Sequence, residues 1–499
     1  MLNSTNRKVR RVIPRWHTAS KNIELRHVSG DIRNKPVLGL EHFDRAFSHW
    51  ERTHHPDAAI ELASTFLAFG DSSPISRQEL ENLFLTVGRC DAGLGLLRAS
   101  GIPVFEDRDG LTIIDQLRYA RTATRKQPNN ALAWLDLARC YTLLGIHSPE
   151  EGQGSLGYSK SMRAVLAACQ IAPNNRYVVR VAVRYFIHLG MPDRAVALLT
   201  RTSRTKYDPW MSSALVAARE VMGSPQRDIK KIRQLAQSAN WSNHCRGELL
   251  AGLASLEAKN GSERNAKKIL NSALVEPTEN VLAQAQWFSN IYRKIDLPEN
   301  LLDDLNAFEA IESRAFLNGD WDEVITSAKS WQKIEPFSKR PALNGSMVAL
   351  SVLDDVSSAL ELLEPAHLSN PRDSQVTNNY VVGLILSGKL ERAKILLKSF
   401  SSSANQLLTP TLKATHGMVA FRSGDANSGR ENYKSALKEM LESKDLRTAF
   451  MCCLYWSREE ALIGASDRAS RLTKESKDIY KNYKFDKLTS AALTTLGTH

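Results

Sequence analysis

Apolar residues recur three and four positions apart through most of the chain, which predicts helices rather than strands. Residues 57–70 carry Ile60, Leu62, Ala63, Phe66 and Leu67 on one helical face, and residues 78–98 carry Leu80, Leu83, Val87, Leu94 and Leu97. The most apolar run, Tyr177 to Leu189, is interrupted by Arg180 and Arg184, so it predicts a buried amphipathic helix and not a membrane span. Short turns punctuate these runs at Gly145, Gly190, Gly223, Gly261, Gly319, Gly388, Gly424 and Gly464. The intervals are 45, 33, 38, 58, 69, 36 and 40 residues. The 69 equals about two units of 34, the 45 is one unit with an insertion, and the 58 reads as one full repeat plus a shortened one around Val281–Lys294.

Around the glycines the pattern repeats. A small residue follows five positions later and an apolar one four further on, as with Gly190, Ala195 and Leu199, with Gly261, Ala266 and Leu270, and with Gly388, Ala393 and Leu397. Proline closes the unit at Pro128, Pro173, Pro336 and Pro371, with Pro277 one place early. Each element has a mechanical reason. Glycine accepts positive φ and ends the first helix of a pair. The small residue lets two antiparallel helices approach, the apolar partners bury the seam, and proline stops the second helix. One such pair cannot bury its apolar face alone, so pairs must stack into a continuous core.

This pattern resembles the tetratricopeptide repeat. Trp134-x-x-Leu137-Ala138-x-x-Tyr141 is similar to the opening of that repeat, with alanine in place of glycine, and Phe316-Leu317-Asn318-Gly319-Asp320-Trp321-Asp322-Glu323 is similar to its inter-helix turn. The resemblance covers residues 119–477, about nine or ten units. It implies an all-α, right-handed α-solenoid of stacked antiparallel helix pairs whose first helices line a concave groove that holds a peptide or protein. By the register of the family, the groove positions are Asp136, Arg139, Arg180, Arg184, Arg314, Asn378, Asn379 and Val382. Arg180 and Arg184 lie one helical turn apart, so both guanidinium groups could face one acidic ligand. The Lys/Asn set with which the family clamps a peptide carboxylate is not reproduced in consecutive repeats.

Outside the repeats, residues 1–40 form a basic arm, residues 41–118 a helical cap or divergent repeats, and residues 478–499 a polar tail. Residues 146–160, with three glycines and no apolar period, are a surface loop inserted into one repeat.

Charge sharpens this division. The net charge of the 499 residues is +12, yet residues 1–40 alone hold nine Lys or Arg against Glu24 and Asp31. The remainder is therefore nearly neutral for its size, which argues against a body that tracks nucleic acid along its length. The six cysteines form no CxxC pair, so zinc binding is not expected and a reducing compartment is. With no apolar leader segment the location expected is the cytoplasm. The acid-free first 23 residues leave the mitochondrial matrix as an alternative.

No arrangement of residues predicts catalysis. Gly152-x4-Gly157 has phosphate-loop spacing, but Tyr158 stands where lysine is required. His42, His49, His54 and His55 lie near Glu41, Asp44 and Glu51 without forming HExxH, so they read as a polar helix face. No GxSxG elbow, kinase signature or dinucleotide fingerprint occurs. No cofactor or metal is expected. What remains is binding. Arg7, Lys8, Arg10, Arg11, Arg15 and Trp16 interleave charge with Val9, Val12 and Ile13, which suits docking to an acidic protein surface. The same residues could hold a phosphate backbone with Trp16 stacked on a base. The reading that results is a non-catalytic scaffold or regulatory subunit that captures a partner protein, in a setting such as a bacterial multi-protein signalling or phage-defence system. The alternative is a nucleic-acid-associated protein gripping phosphates through the arm and the groove arginines.

Overall fold

The computed structural model describes residues 38–53, 113–126, 128–144, 160–226, 229–238, 243–292, 299–335, 337–371, 373–401, 409–482 and 486–497, with residues 58, 61, 62, 241, 295 and 297 besides. The basic arm through Trp16, the phosphate-loop spacing at Gly152 and nearly all of the 146–160 loop lie outside these residues. Every regular element among the described residues is helical. The chain divides into two compact units, residues 2–310 and 311–499.

In the first unit, helix Leu38–Thr53 and helix Ile113–Lys126 precede a run of hairpins. Helix Ala131–Leu143 pairs with Lys160–Ile171, Arg176–His188 with Pro192–Arg201, Pro209–Met222 with Ile229–Gln237, and Asn243–Lys259 with Glu263–Ala273. Helix Glu279–Ile291 follows, with helix Glu299–Asp304 after it. Helix Phe308–Asn318 carries the division between the units and is followed by Trp321–Ile334. The second unit continues with helix Lys339–Val348, which widens into a π-helical turn over Ala349–Leu353 and pairs with Val356–Ser369. Then come Ser374–Leu386 with Leu390–Ser401, Pro410–Arg422 with Ala426–Glu442, Leu446–Leu462 with Ser466–Asn482, and a last helix Lys487–Leu496.

The turns show why the hairpins form. Gly190, Gly223, Gly261, Gly319, Gly388, Gly424 and Gly464 all have positive φ, so each glycine turn read from the sequence that falls among the described residues is left-handed. At Gly190 its own amide donates to the Ile187 carbonyl at 3.1 Å, and the Met191 amide donates to Phe186 at 2.8 Å. These two bonds satisfy carbonyls that the helix end leaves open. The same pair recurs at the other six glycines. The first helices of hairpins are started by acceptor side chains, among them Asn130, Asn175, Asp208, Asp373 and Asp445, each bonded to amides two or three residues on.

The seams carry the expected residues. Ala195, Ala266 and Ala393 are fully buried, as are Leu199 and Leu270. Leu137, Ala138 and Tyr141 of the best-matching unit are buried on helix Ala131–Leu143, and Trp134 donates from Nε1 to the Pro128 carbonyl at 2.8 Å. Pro128, Pro173, Pro277 and Pro371 all lie just past a helix end.

Three features differ from the sequence expectation. The long 69-residue interval holds a left-handed turn at Asp354, which no glycine marks. The shortened element is Glu299–Asp304, six residues long, whereas Glu279–Ile291 is a full helix of thirteen. Residues 478–499 are not a polar tail. Residues 478–482 complete a helix, and helix Lys487–Leu496 buries Leu488, Thr489, Ala492 and Leu496. Its apolar positions are four apart, and the four threonines and serines between them (Thr489, Ser490, Thr494 and Thr495) hide that period.

Candidate functional site: the faces of the first helices

In the first unit the first helices of successive hairpins touch one another, Arg176–His188 against Pro209–Met222, and that helix against Asn243–Lys259. Beside the apolar core that Val216 shares with Leu249 and Leu253, buried polar side chains join these helices. Arg176 is almost fully buried and donates from Nε to Asp208 at 2.7 Å, and Arg204 donates to the same oxygen at 3.1 Å. Asp208 also caps its own helix through the amides of Trp210 and Met211, with Pro209 at the first helical position. Burial pushes the Asp208 carboxyl up, but the two guanidinium groups outweigh it and hold it below the usual carboxylate range.

One helical turn along, Arg180 donates to the Trp210 carbonyl at 3.0 Å and to Glu248 at 2.9 Å. Glu248 is buried and also accepts from Ser213 and from Asn280, so it joins four successive first helices. The Trp210 ring lies under both Arg176 and Arg180, with guanidinium carbons 4.8 and 5.8 Å from its centroid. Arg180 is therefore held by the protein's own carboxylate.

A cavity of about 470 Å³ opens beside this cluster, lined by Arg45, His49, Glu61, Pro173, Asn175, Arg204 and Tyr207 among others. Its natural anion position is taken. The Glu61 carboxylate accepts the Arg176 backbone amide at 2.9 Å at a helix N-terminus, and it pairs with Arg204. Among the described residues no group of three metal-ligating side chains occurs.

The second unit has its own ladder. Ser346, Asn379, Asn378 and Thr415 connect helices Lys339–Val348, Ser374–Leu386 and Pro410–Arg422 through bonds of 3.4, 3.4 and 2.6 Å. Asn378 is buried, and Val382 packs on the core beside it. Further along, Arg422 and Arg430 clamp the adjacent buried acids Glu459 and Glu460, each through two hydrogen bonds.

Helix Lys487–Leu496 lies on this unit's first-helix face. Leu488 joins the core with Ala315 and Val348, while Ala492 and Leu496 pack with Phe450, Met451 and Leu454. Thr495 donates to the Val352 carbonyl at 2.8 Å, and Lys487 donates to the Asn318 carbonyl at 2.9 Å. Arg447 pairs with Asp486 at the start of the helix.

Of the residues expected in the groove, Asp136, Arg139, Arg180 and Arg184 lie on first helices of one unit, and Arg314, Asn378 and Asn379 lie in the other. Arg139 donates to Gln116 at 3.2 Å. Sequence reasoning missed Glu248, Asp208 and the last helix. Asp208-Pro209 was a readable helix start, whereas nothing local marks Glu248.

Paired helices joined by left-handed turns, with the first helices in mutual contact, define a tetratricopeptide-like helical repeat fold. No family model and no curated protein matches the chain. Solved structures that align over most of its length include yeast Tom70, at 13% identity and a TM-score of 0.30, over 92% of this chain and 95% of that one. Human IFIT1, as a dimer with PPP-AAAA, aligns at 11% identity and 0.34, over 92% and 98%. The APC/C hetero-tetramer Cut9–Hcn1 aligns at 12% identity and 0.30, over 91% and 92%. No helix among the described residues is long and apolar enough to cross a membrane.

Proposed function

We propose that the chain is a non-catalytic scaffold that captures a partner protein on the faces of its first helices. One observation carries this reading: the face of the second unit receives a helix, Lys487–Leu496, through apolar contacts and hydrogen bonds to backbone carbonyls. That is the chemistry of protein recognition by helix-in-groove docking. Arg180 favours it over the nucleic-acid alternative, because this groove arginine, like the neighbouring Arg176, is neutralised by an internal acid and does not add to a phosphate-binding surface. Asp136, Arg184 and Arg314 lie on three first helices and are proposed as partner-facing positions.

The test is a pull-down with the full chain, washed through rising salt. A protein retained in fixed ratio after nucleic acid has been washed away supports capture of a partner. Retention of nucleic acid that weakens steeply with salt, and that is lost on deleting residues 1–16, overturns it in favour of the arm as a phosphate binder.

A further inference from the structure

We infer that helix Lys487–Leu496 is an internal ligand, which occupies the face between helices Lys339–Val348 and Leu446–Leu462 until an amphipathic helix of a partner protein displaces it. This rests on the partner-capture reading and adds the partner's chemistry and a control on its access.

The face is built to take a helix. The π-helical turn over Ala349–Leu353 ends at Asp354 in a left-handed conformation, so the last carbonyls of that helix lack partners within it. Thr495 supplies a hydroxyl to Val352, and Tyr455 reaches Leu350 and Ser351 from helix Leu446–Leu462. Arg458 pairs with Asp354 at 3.1 Å, which ties helix Leu446–Leu462 to the end of the π-helical turn. At the other end the Lys487 stem lies over the glycine turn, where a Cβ on Gly319 would stand 3.2 Å from Lys487 Cδ.

The docked helix is short and lacks the buried ion pairs that fix its neighbours. It has ten residues, a length at which an isolated helix is marginal in water. Its apolar hold is Leu488, Ala492 and Leu496, with the half-buried Ala491 and Leu493 beside them and a central residue no larger than a methyl. Its polar hold is the exposed Lys487 contact, the Thr495 hydroxyl and the Arg447–Asp486 pair. The neighbouring helices are instead fixed by buried bidentate pairs such as Arg430–Glu460. A partner helix with leucine-sized, small and leucine-sized residues at i, i+4 and i+8, and a hydroxyl at i+7, satisfies the same groups.

The experiment uses the full chain and a fluorescent peptide of residues 486–497 as the probe, read by anisotropy. In Leu488→Asp the internal helix is expelled, and the peptide binds roughly tenfold or more tightly than to the wild type, because the competent fraction rises. Where Leu488→Asp melts the whole unit, the milder Lys487→Ala/Thr495→Val chain decides, with the same direction of change. In the wild type, amides of Leu488–Leu496 exchange with deuterium roughly a hundredfold faster than those of Leu446–Leu462, as local release requires. Equal protection of both helices, or folded variants that bind the peptide no better than the wild type, overturns the inference. A concentration-dependent wild-type dimer that trades this helix between copies also overturns it. Failure of the partner-capture reading shows separately, as a pull-down that retains no protein.

Discussion

Arg422 and Glu459 meet across neighbouring first helices, with Nε and Nη2 donating to the two carboxylate oxygens at 2.6 and 2.9 Å. Glu459 is nearly inaccessible, and Glu460 beside it makes the same fork with Arg430 while accepting the Trp456 indole N–H at 3.1 Å. Two adjacent buried acids are thus divided between two arginines of the preceding hairpin. Arg422→Ala is expected to destabilise the unit by about 3 kcal/mol, since it leaves Glu459 buried and unpaired. Replacing both members, as Arg422→Met with Glu459→Leu, should recover most of that loss. Urea denaturation of the single and double variants measures both effects.

Acid should attack these sites. Burial pushes the Glu460 carboxyl up, but the Arg430 and Trp456 bonds outweigh it, so its pKa lies below the usual value in the folded chain, as does that of Asp208. A depressed folded pKa contributes stability that is fully present above the unfolded value and is lost as pH falls through the folded one. The urea midpoint should therefore hold level at neutral pH and drop below about pH 4. Asp208→Asn should lower the midpoint at neutral pH and flatten the acid side of the curve.

Lys444 adopts φ of 57° at an exposed turn, where its amide donates to Leu441 and the Asp445 amide to Met440, the bonding found at the glycine turns. A side chain in that conformation costs roughly 1 kcal/mol. Lys444→Gly is expected to raise stability by about that amount, and Gly190→Ala to lower it by a similar amount. Paired thermal melts of the two variants check the opposite signs.

Glycines within helices divide by what surrounds them. A Cβ on Gly429 would stand 2.5 Å from the Phe421 ring, and one on Gly417 would stand 2.7 Å from the Tyr433 ring. Alanine at either position should cost about 1–3 kcal/mol through overpacking. At Gly252, mid-helix, the nearest atom is 3.4 Å away on Val216, an ordinary contact. Gly252→Ala should stabilise by up to about 1 kcal/mol through helix propensity. Denaturant midpoints of the three variants give the comparison.

The thiols give a further check. Burial pushes Cys169 and Cys452 up to about 12 and raises Cys453 as well. None of the three should react with a thiol-specific reagent at neutral pH before unfolding, because thiolate is the reactive form. Rapid labelling of Cys452 in the native chain would refute its burial on helix Leu446–Leu462.

The fold was legible because its grammar is local. A glycine, a small residue five later and a proline past the end each act within a few residues, and Gly190, Ala195 and Pro173 sit where that grammar puts them. Asp354 and Lys444 escaped because each takes the left-handed position that glycine marks at the other turns. The first-helix faces were legible as positions but not as chemistry. Arg180 lies on a first helix, yet its partner Glu248 is 68 residues away and no local signal links them. The last helix was hidden for a related reason, since its apolar positions are few and the surfaces that bury them lie far back in the chain.

Those distances along the chain set an order of events. Lys487 and Asn318 are 169 residues apart, and Thr495 and Val352 are 143 apart, while each glycine turn closes within six residues. During synthesis, hairpin after hairpin can condense as it emerges, but Lys487–Leu496 is translated only after every helix it rests on. A nascent chain thus exposes the Leu350–Asp354 ledge to passing helices for the seconds needed to add the remaining residues, and afterwards the ribosome delivers the competitor that shuts it.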